Sequence, residues 1–564
     1  MRALLTIATI AGTLIASPAA AANKQLKQQA DAILSSSFDA AGPGASAIIT
    51  EHGKTIYAGS AGLADIEARR PARPDTVYYL GSVSKQYTAA VILQLASEGK
   101  LSLSDPLSKF LPDYPEPGRE ATVAQLLNHT AGIPNYANIT GWMSEPNINR
   151  PYTTQQLIAV FKGLPQEDKP GEDWEYSNSG YVLLGAIIEK VTGKPWQQAV
   201  RDRILRPLAL NETLTSLPKG GVPGMAKGYS LINDKLAPPM KFDLSIGGAG
   251  GGLIGTASDL AKWSDALHHG RVVPGPYYQQ MITPAKLNDG RSFPYGFGLK
   301  FAKLHDEQVI GHGGRIPGFS TFGLYLPKED LFVAVLTNSD APRTAPEDVA
   351  TRLAALAAGR PFPMLSETKA DPAALQKLFG LYGEGMDQHR FFSRDGKFYL
   401  RTGNQPAHEV HFAGDNRFFY DLVWLQVRPQ PSGILMMEIH VPTLTAAAVL
   451  PRTGSAPEER ATVNVPVEVL RSYTGVYKAG AGTGKIMLVD GKYLVLQHGK
   501  DATTRLRPVS NIEFLDDDEN SSVIFKTAGG KTTGLTVKRG DHDVEAERIG
   551  DLMASPPSAS PDAR

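Results

Sequence analysis

Apolar and polar positions alternate with two different periods along this chain, and the period changes near residue 372. The longest apolar-faced run is residues 78–95, YYLGSVSKQYTAAVILQL. There Gly81 and Ser82 interrupt an extended approach, and Val83, Tyr87, Ala90, Val91, Leu93 and Leu95 follow at helical spacing. A helix apolar over most of its surface runs through a domain interior. Residues 45–50 and 54–59 flank Glu51-His52-Gly53 and predict a hairpin. Residues 24–34, 154–161, 181–191, 196–205 and 346–356 read as helices. Thr122 caps a short helix over 122–127, and Thr256-Ala257-Ser258-Asp259 is a capping box before 260–267. Two strands, 319–325 and 331–336, meet at Pro327-Lys328-Glu329-Asp330. Such strands and helices pack as a sheet covered by helices.

Residues 136–170 carry no clean period and read as a long connection with one helix, a candidate wall over a cleft. The run GGAGGGLIG at 247–255 lacks the Gly-Lys-Ser/Thr ending of a phosphate loop, so close backbone packing beneath a site is the better reading. Three prolines within 360–372 mark a boundary. Beyond it the runs are short, alternating and glycine-punctuated, and they repeat. LQKLFGLY at 375–382 matches LRSYTGVY at 470–477, a shift of 95 that also carries Asp395-Gly396-Lys397 onto Asp490-Gly491-Lys492 and Asn416 with Phe419 onto Asn511 with Phe514. Two all-β modules follow, either small barrels or halves of one larger barrel. The expected organisation is a signal segment at 1–22, a catalytic domain at 23–360, a linker at 361–374, a β module at 375–451, a linker at 452–462, a second β module at 463–553 and a disordered tail at 554–564.

At 564 residues the chain exceeds one ordinary core, in keeping with that division. Basic and acidic residues number 57 each, so no net field attracts nucleic acid or anionic lipid. Cysteine is absent, which rules out disulfides and thiol catalysis. Arg2, an apolar stretch at 4–15 and small residues at 17–22 resemble a secretory signal cleaved before Asn23, which places the protein in the periplasm or outside the cell. The alternative, a membrane anchor, needs a longer apolar stretch. The mature chain is then expected to lack an anchor.

Ser82 and Lys85 share one helix face, and a lysine whose pKa is lowered can take the proton of a serine hydroxyl. The spacing alone is weak, since Ser97 with Lys100, Ser216 with Lys219 and Ser366 with Lys369 also fit it. The competing reading makes Ser82 a helix cap and Lys85 a surface residue. An apolar helix instead gives that lysine either a wet cleft or a partner, of which the cleft is preferred. Tyr176-Ser177-Asn178 offers a phenol that takes anionic character beside an ammonium, and an amide that holds Lys85 and a substrate carbonyl. In His312-Gly313-Gly314 the glycines would let a substrate lie along a strand, and the imidazole would supply a hydrogen bond or proton route. Metal dependence is not expected: no His-Glu-x-x-His occurs, and the His268-His269 pair does not share a helical face. No cofactor is expected.

The motifs LGSVSKQYTA at 80–89, LLNHTAGIP at 126–134, YSNSGYVLLG at 176–185, GGLIGTASDLAKW at 251–263 and HGGRIPGF at 312–319 together resemble the serine β-lactamase-related, penicillin-recognising hydrolases. The similarity spans roughly residues 30–355, within the branch of class C β-lactamases, D-Ala-D-Ala carboxypeptidases, D-aminopeptidases and related esterases. It implies an α+β catalytic domain, an antiparallel sheet with helices on its faces and a helical subdomain, followed by lipocalin-like β-barrels. Ser82 would form an acyl-enzyme, Lys85 and Tyr176 would shuttle its proton, and Asn178, His312, Gly313 and Gly314 would bind substrate. The backbone N–H groups of Ser82 and Arg315 would form the oxyanion hole. His312 stands where class C enzymes carry a lysine that favours a substrate carboxylate, which shifts the expectation toward a peptidase acting on short or D-residue-containing peptides. A carboxylesterase, a weak β-lactamase or D,D-carboxypeptidase, and a non-catalytic binding protein are the alternatives. No Gly-x-Ser-x-Gly elbow supports an α/β-hydrolase esterase. The partner is a small peptide, amide or ester, and the oligomeric state is left open.

Overall fold

The computed structural model describes residues 18–551 except 167, 233–234, 386–387, 395, 404–406, 456–461, 481, 490, 499–501, 517–520 and 540–541. Most of the expected signal segment and the whole expected disordered tail lie outside the described residues.

Six antiparallel strands form the sheet of the catalytic domain: β1 (Ala45–Glu51), β2 (Lys54–Ala61), β3 (Lys300–Leu304), β4 (Glu307–Ile316), β5 (Phe319–Leu326) and β6 (Leu331–Thr337). Their order across the sheet is β3-β4-β5-β6-β1-β2, so the first hairpin of the domain joins strands from its far end. Ala45 pairs with Thr337, and Glu51 with Leu331. Strands β1 and β6 are buried on both faces and therefore read as continuous Ala/Ile/Val/Leu runs without alternation. Helices α1 (Pro18–Ser37) and α5 (Pro346–Ala357) cover one face, where Ile33, Leu34, Val349 and Leu353 meet Ala47, Ile49, Val333 and Val335. Against the other face lies the larger core, which holds α2 (Ser84–Ser97), α3 (Asn178–Thr192) and α4 (Ala257–His268).

Helix α2 is the axis of that core. Twelve of its residues, from Ser84 to Leu93 with Leu95 and Ala96, are buried. Each fully buried aliphatic or aromatic side chain contributes about 1.5–3 kcal/mol, so the helix is held by burial and has no capping side chain at its start. Gly99, at φ +69°, ends it in the left-handed conformation that glycine adopts without a Cβ penalty. Thr122 and Thr153 each close a capping box, with Gln125 and Gln156 respectively. Thr256 caps α4 by accepting from Asp259 N. The 136–170 connection holds one α-helix, Thr154–Phe161.

The chain divides into two compact units, the first running to Pro363 and including Pro442–Thr445, the second holding the rest. The second unit contains two closed eight-stranded barrels, one from Gly380–Tyr382 to Ala448–Gly454, the other from Gly475–Ala479 to His542–Gly550. They are separate barrels, not halves of one. The repeat is real but slips: Arg394 pairs with Lys397, whereas Val489 pairs with Tyr493, so one hairpin of the second barrel is a residue longer. Beyond that turn the shift is 96, and Phe418, not Phe419, is the counterpart of Phe514; both are fully buried in their cores.

Candidate active site

Gly81–Val83 forms a 3₁₀ turn that runs into α2. In such a turn side chains three apart eclipse one another, and Lys85 Nζ lies 3.1 Å from Ser82 Oγ. Ser82 caps nothing. The turn is held against β4 because two glycines let backbone meet backbone. A Cβ on Gly314 would lie 2.0 Å from the Leu80 carbonyl oxygen, and one on Gly81 would lie 2.9 Å from Arg315 N. Strand β3 pairs with β4 only as far as Gly311, so the stretch from His312 onward is left to this turn. The Arg315 N–H therefore comes to the mouth of the turn that carries Ser82. Gly314 is thus needed for this approach, and the missing Cβ of Gly313 faces Phe322 of β5.

Lys85 is fully buried, which corrects the expectation of a wet cleft. Its partners are Asn178 Oδ1 at 2.8 Å and the Gly250 carbonyl at 3.0 Å. Both can only accept, so they take the two N–H bonds of a free amine. The third position of the nitrogen faces Ser82 Oγ, and in the free amine it is a lone pair ready to accept the serine hydrogen. Burial, with Lys300 adding repulsion, holds Lys85 well below its ordinary value and favours that neutral form. The glycine run thus has its place: Gly250 supplies the carbonyl, and a Cβ there would sit 3.2 Å from Lys85 Nζ.

Asn178 opens α3, and Ser177 is the cap, accepting from Gly180 N. The Asn178 backbone N–H donates to Asn135 Oδ1, which fixes the helix start. Tyr176 precedes the cap, with Lys85 Nζ 4.8 Å from its ring centroid. Burial pushes this phenol above its ordinary value, and its hydrogen bond with Ser82 pulls the other way without reversing the direction. Tyr176 thus rests as a protonated phenol beside the lowered Lys85 amine, so the anionic character expected of it beside an ammonium does not describe the resting site. Desolvation disfavours both charges, and no third charge rescues them.

His312 is also placed differently from expectation. It is buried, with Nε2 2.9 Å from Tyr295 Oη and Nδ1 against the Gly313 carbonyl. Tyr295 Oη lies 3.1 Å from His129 Nε2, and the Ser177 N–H donates to His129 Nδ1. The fixed donor and acceptor at the two ends set a consistent arrangement of the hydrogens. Ser177 can only donate, so His129 carries its proton on Nε2 and gives it to Tyr295. Gly313 can only accept, so His312 carries its proton on Nδ1 and takes the Tyr295 hydrogen on Nε2. In this hydrogen-bond chain both imidazoles are neutral. Burial agrees, pressing His312 down to about 3 and His129 well below its ordinary value. His312 thus braces β4 and leaves no ring nitrogen for substrate. The His129 ring stands 4.4 Å from that of Tyr176, so the same chain backs the phenol.

Ser82, Lys85, Tyr176, Asn178 and the Arg315 backbone are thus brought together, while the His312 side chain lies beneath them. Sequence reasoning missed His129, Asn135 and Tyr295 as parts of the site, and it anticipated the glycine run holding Gly250 as close packing beneath the site but not its carbonyl as a partner of Lys85. His129 was signalled within LLNHTAGIP; Tyr295 sits in a stretch without period or motif. Among the described residues no cluster of His, Asp and Glu is arranged to hold a metal ion, and no helix is long and apolar enough to cross a membrane.

The family model described as Beta-lactamase matches residues 24–358. Penicillin-binding protein 4* of Bacillus subtilis (strain 168) is 26% identical over 403 residues, which cover 67% of this chain and 88% of that protein. A D-aminopeptidase of Gluconobacter oxydans (strain 621H) is 25% identical over 347 residues, covering 61% of this chain and 63% of that protein, so the match spans less than two thirds of that enzyme's length. Among solved structures, the octameric penicillin-binding protein homologue from Pyrococcus abyssi superposes with a TM-score of 0.54 at 25% identity, covering 85% of this chain and 98% of that one.

Proposed function

The chain belongs to the beta-lactamase family and its catalytic domain is that of a serine hydrolase; from that premise we propose that it hydrolyses amide bonds in short or D-residue-containing peptides through an acyl-enzyme on Ser82. The observation that carries the nucleophile is the buried Lys85 amine, 3.1 Å from Ser82 Oγ, with its other hydrogen-bonding positions filled by obligate acceptors. Ser82 Oγ adds to the scissile carbonyl carbon as its hydrogen passes to Lys85. The carbonyl oxygen, now an oxyanion, accepts from the Ser82 and Arg315 backbone N–H groups. As the C–N bond breaks, the leaving nitrogen takes the Tyr176 phenol hydrogen, and the phenolate recovers a proton from Lys85. Water then adds to the ester, gives a proton to the same pair, and releases the acid with Ser82 restored.

The peptide preference is supported by the D-aminopeptidase relative and by His312 in place of a lysine at the third motif. The export reading rests on residues 1–22, and the lipocalin-like reading of the barrels on their eight-stranded closure with a short helix, Val467–Ser472, before the second. The test is a rate panel on one preparation: D- and L-aminoacyl p-nitroanilides, short peptides, p-nitrophenyl esters of graded length and a chromogenic cephalosporin. Faster turnover of a D-aminoacyl amide than of its L-isomer supports the proposal. Rates on acetate esters with none on any amide make the enzyme an esterase instead.

A further inference from the structure

The connection over 136–170 shapes a second pocket, whose lining includes none of the residues assigned to the reaction. It lies between the Thr154–Phe161 helix, α3, the Pro195–Gln197 stretch and the Ser245–Ala249 segment, and its volume is about 350 Å³. That is within the range of small-molecule sites.

Close packing on every side holds the pocket open. Trp196 is buried, with its indole between two glycines: a Cβ on Gly185 would meet Cδ1 at 3.5 Å, and one on Gly252 would meet Cη2 at 3.2 Å. Gly248, at φ +49°, forms part of the floor, where a Cβ would lie 3.1 Å from Val182 Cγ2 and 3.5 Å from Leu157 Cδ1. The Ala249 carbonyl accepts from Thr88 Oγ1 at 2.6 Å, which ties the floor to α2.

The hydroxyls of the wall are already engaged. Thr153 Oγ1 accepts from Gln156 N, Ser245 Oγ donates to Asp243 Oδ1 and accepts from Tyr152 N, and Tyr152 Oη accepts from Arg150 Nε. Thr154 Oγ1 donates to Glu189 Oε1 at 2.9 Å, and the Trp196 N–H donates to the same oxygen at 3.4 Å. Among the described residues Glu189 is the one charged member of the lining. Its Oε2 accepts no hydrogen bond, enters no ion pair and is open to solvent. The two donors on Oε1 are neutral, so they fix the carboxylate without cancelling its charge.

We propose that this pocket binds a small primary amine, with its ammonium on Glu189 Oε2 and an aromatic or aliphatic body against Trp196, Leu157 and Val182. An ammonium brings donors and the opposite charge, and a charge-assisted bond is about twice as strong as a neutral one. An alcohol of the same body brings one donor and no charge, and a carboxylate meets Glu189 as a like charge. The indole and the two aliphatic side chains take the body out of water. The site is independent of Ser82 and of the hydrolytic reading.

The test is isothermal titration of the full chain with 2-phenylethylamine, 2-phenylethanol and phenylacetate. One saturable site per chain is expected for the amine, with the alcohol about tenfold weaker or more and no binding of phenylacetate. Glu189→Gln keeps an acceptor for Thr154 and Trp196 and removes the charge. It should weaken the amine by about tenfold or more, ~1.4 kcal/mol, while the hydrolytic rate stays unchanged. Gln197→Lys places an ammonium of the chain's own beside Glu189 and should block the amine in the same way; it decides the matter if Glu189→Gln does not fold. No saturable binding by the parent chain, or equal binding by either folded variant, overturns the proposal. Binding of 2-phenylethanol as tight as that of the amine overturns the assigned head group.

Discussion

At the scale of single residues the proposed chemistry rests on burial, which moves two pKa values apart. Lys85 is held low and Tyr176 high, so the resting pair is amine and phenol. In the proposed mechanism the free amine is the base, so kcat/KM should persist above the lowered Lys85 pKa and fall as the pH drops through it. The pH profile should therefore show an acid limb far below the ordinary lysine value of about 10.4. Lys85→Ala should lower kcat by about 10²-fold or more, and Lys85→Arg should fail to restore it, because a guanidinium does not give up its proton. Tyr295→Phe removes the one hydroxyl between His129 and His312 and leaves a buried donor and a buried acceptor unmatched. A loss on the order of 3 kcal/mol in the unfolding free energy of the catalytic unit is expected from urea titration. Ser82, Lys85 and Asn178 were legible in sequence because local helix geometry brings the first two together and a motif marks the third. The lowered Lys85 was anticipated as well, but the raised Tyr176 phenol was not, since it depends on how completely residues far away in the chain enclose it.

At the scale of elements the decisive contact is between the Gly81–Val83 turn and β4. Gly314→Ala would drive a Cβ into the Leu80 carbonyl and force turn and strand apart. Since the proposed oxyanion donors come one from each element, kcat should fall by roughly 10²-fold or more, measured beside a circular-dichroism spectrum that reports the fold. The helices were legible: α2 from its apolar surface, α4 and the short helix after Thr122 from their caps. Sheet order was not, because the pairing of β1 with β6 joins residues nearly 300 positions apart, and nothing local in either strand records its neighbour. The role of Gly314 was hidden for the same reason: its partner, Leu80, belongs to an element more than 200 residues earlier.

At the scale of the whole molecule, buried imidazoles make the catalytic unit acid-sensitive. Burial presses His268 and His312 down to about 3 and holds His129 well below its ordinary value. Unfolded imidazoles bind protons near pH 6.5, so across the window from 6.5 down to 3 the unfolded chain binds more protons than the folded one. Stability is thus greatest above pH 6.5 and is lost as the pH falls, at up to about 1.4 kcal/mol per pH unit for each imidazole. His269, raised by its bond to the Asp265 backbone, works against this in the same range. Glu98 and Glu307, lowered to about 2 by their cationic partners, add to the loss only below the carboxylate range. Urea titrations between pH 4.5 and 6.5 should show the slope, and His268→Phe should flatten it by about a third. The two barrels were visible as a repeat, but which residues correspond was not, since the one-residue slip at Val489–Tyr493 moves the register.

The central claim is that an acyl group is carried on Ser82 Oγ with Lys85 as the base. Rapid quenching of the protein with a β-lactam or an activated D-aminoacyl ester, followed by intact mass and peptide mapping, tests it directly. One adduct on the peptide containing Ser82, absent from Ser82→Ala and slow to form in Lys85→Ala, is the predicted result. Full hydrolytic rate in Ser82→Ala, or an adduct mapped to any other residue, would contradict it.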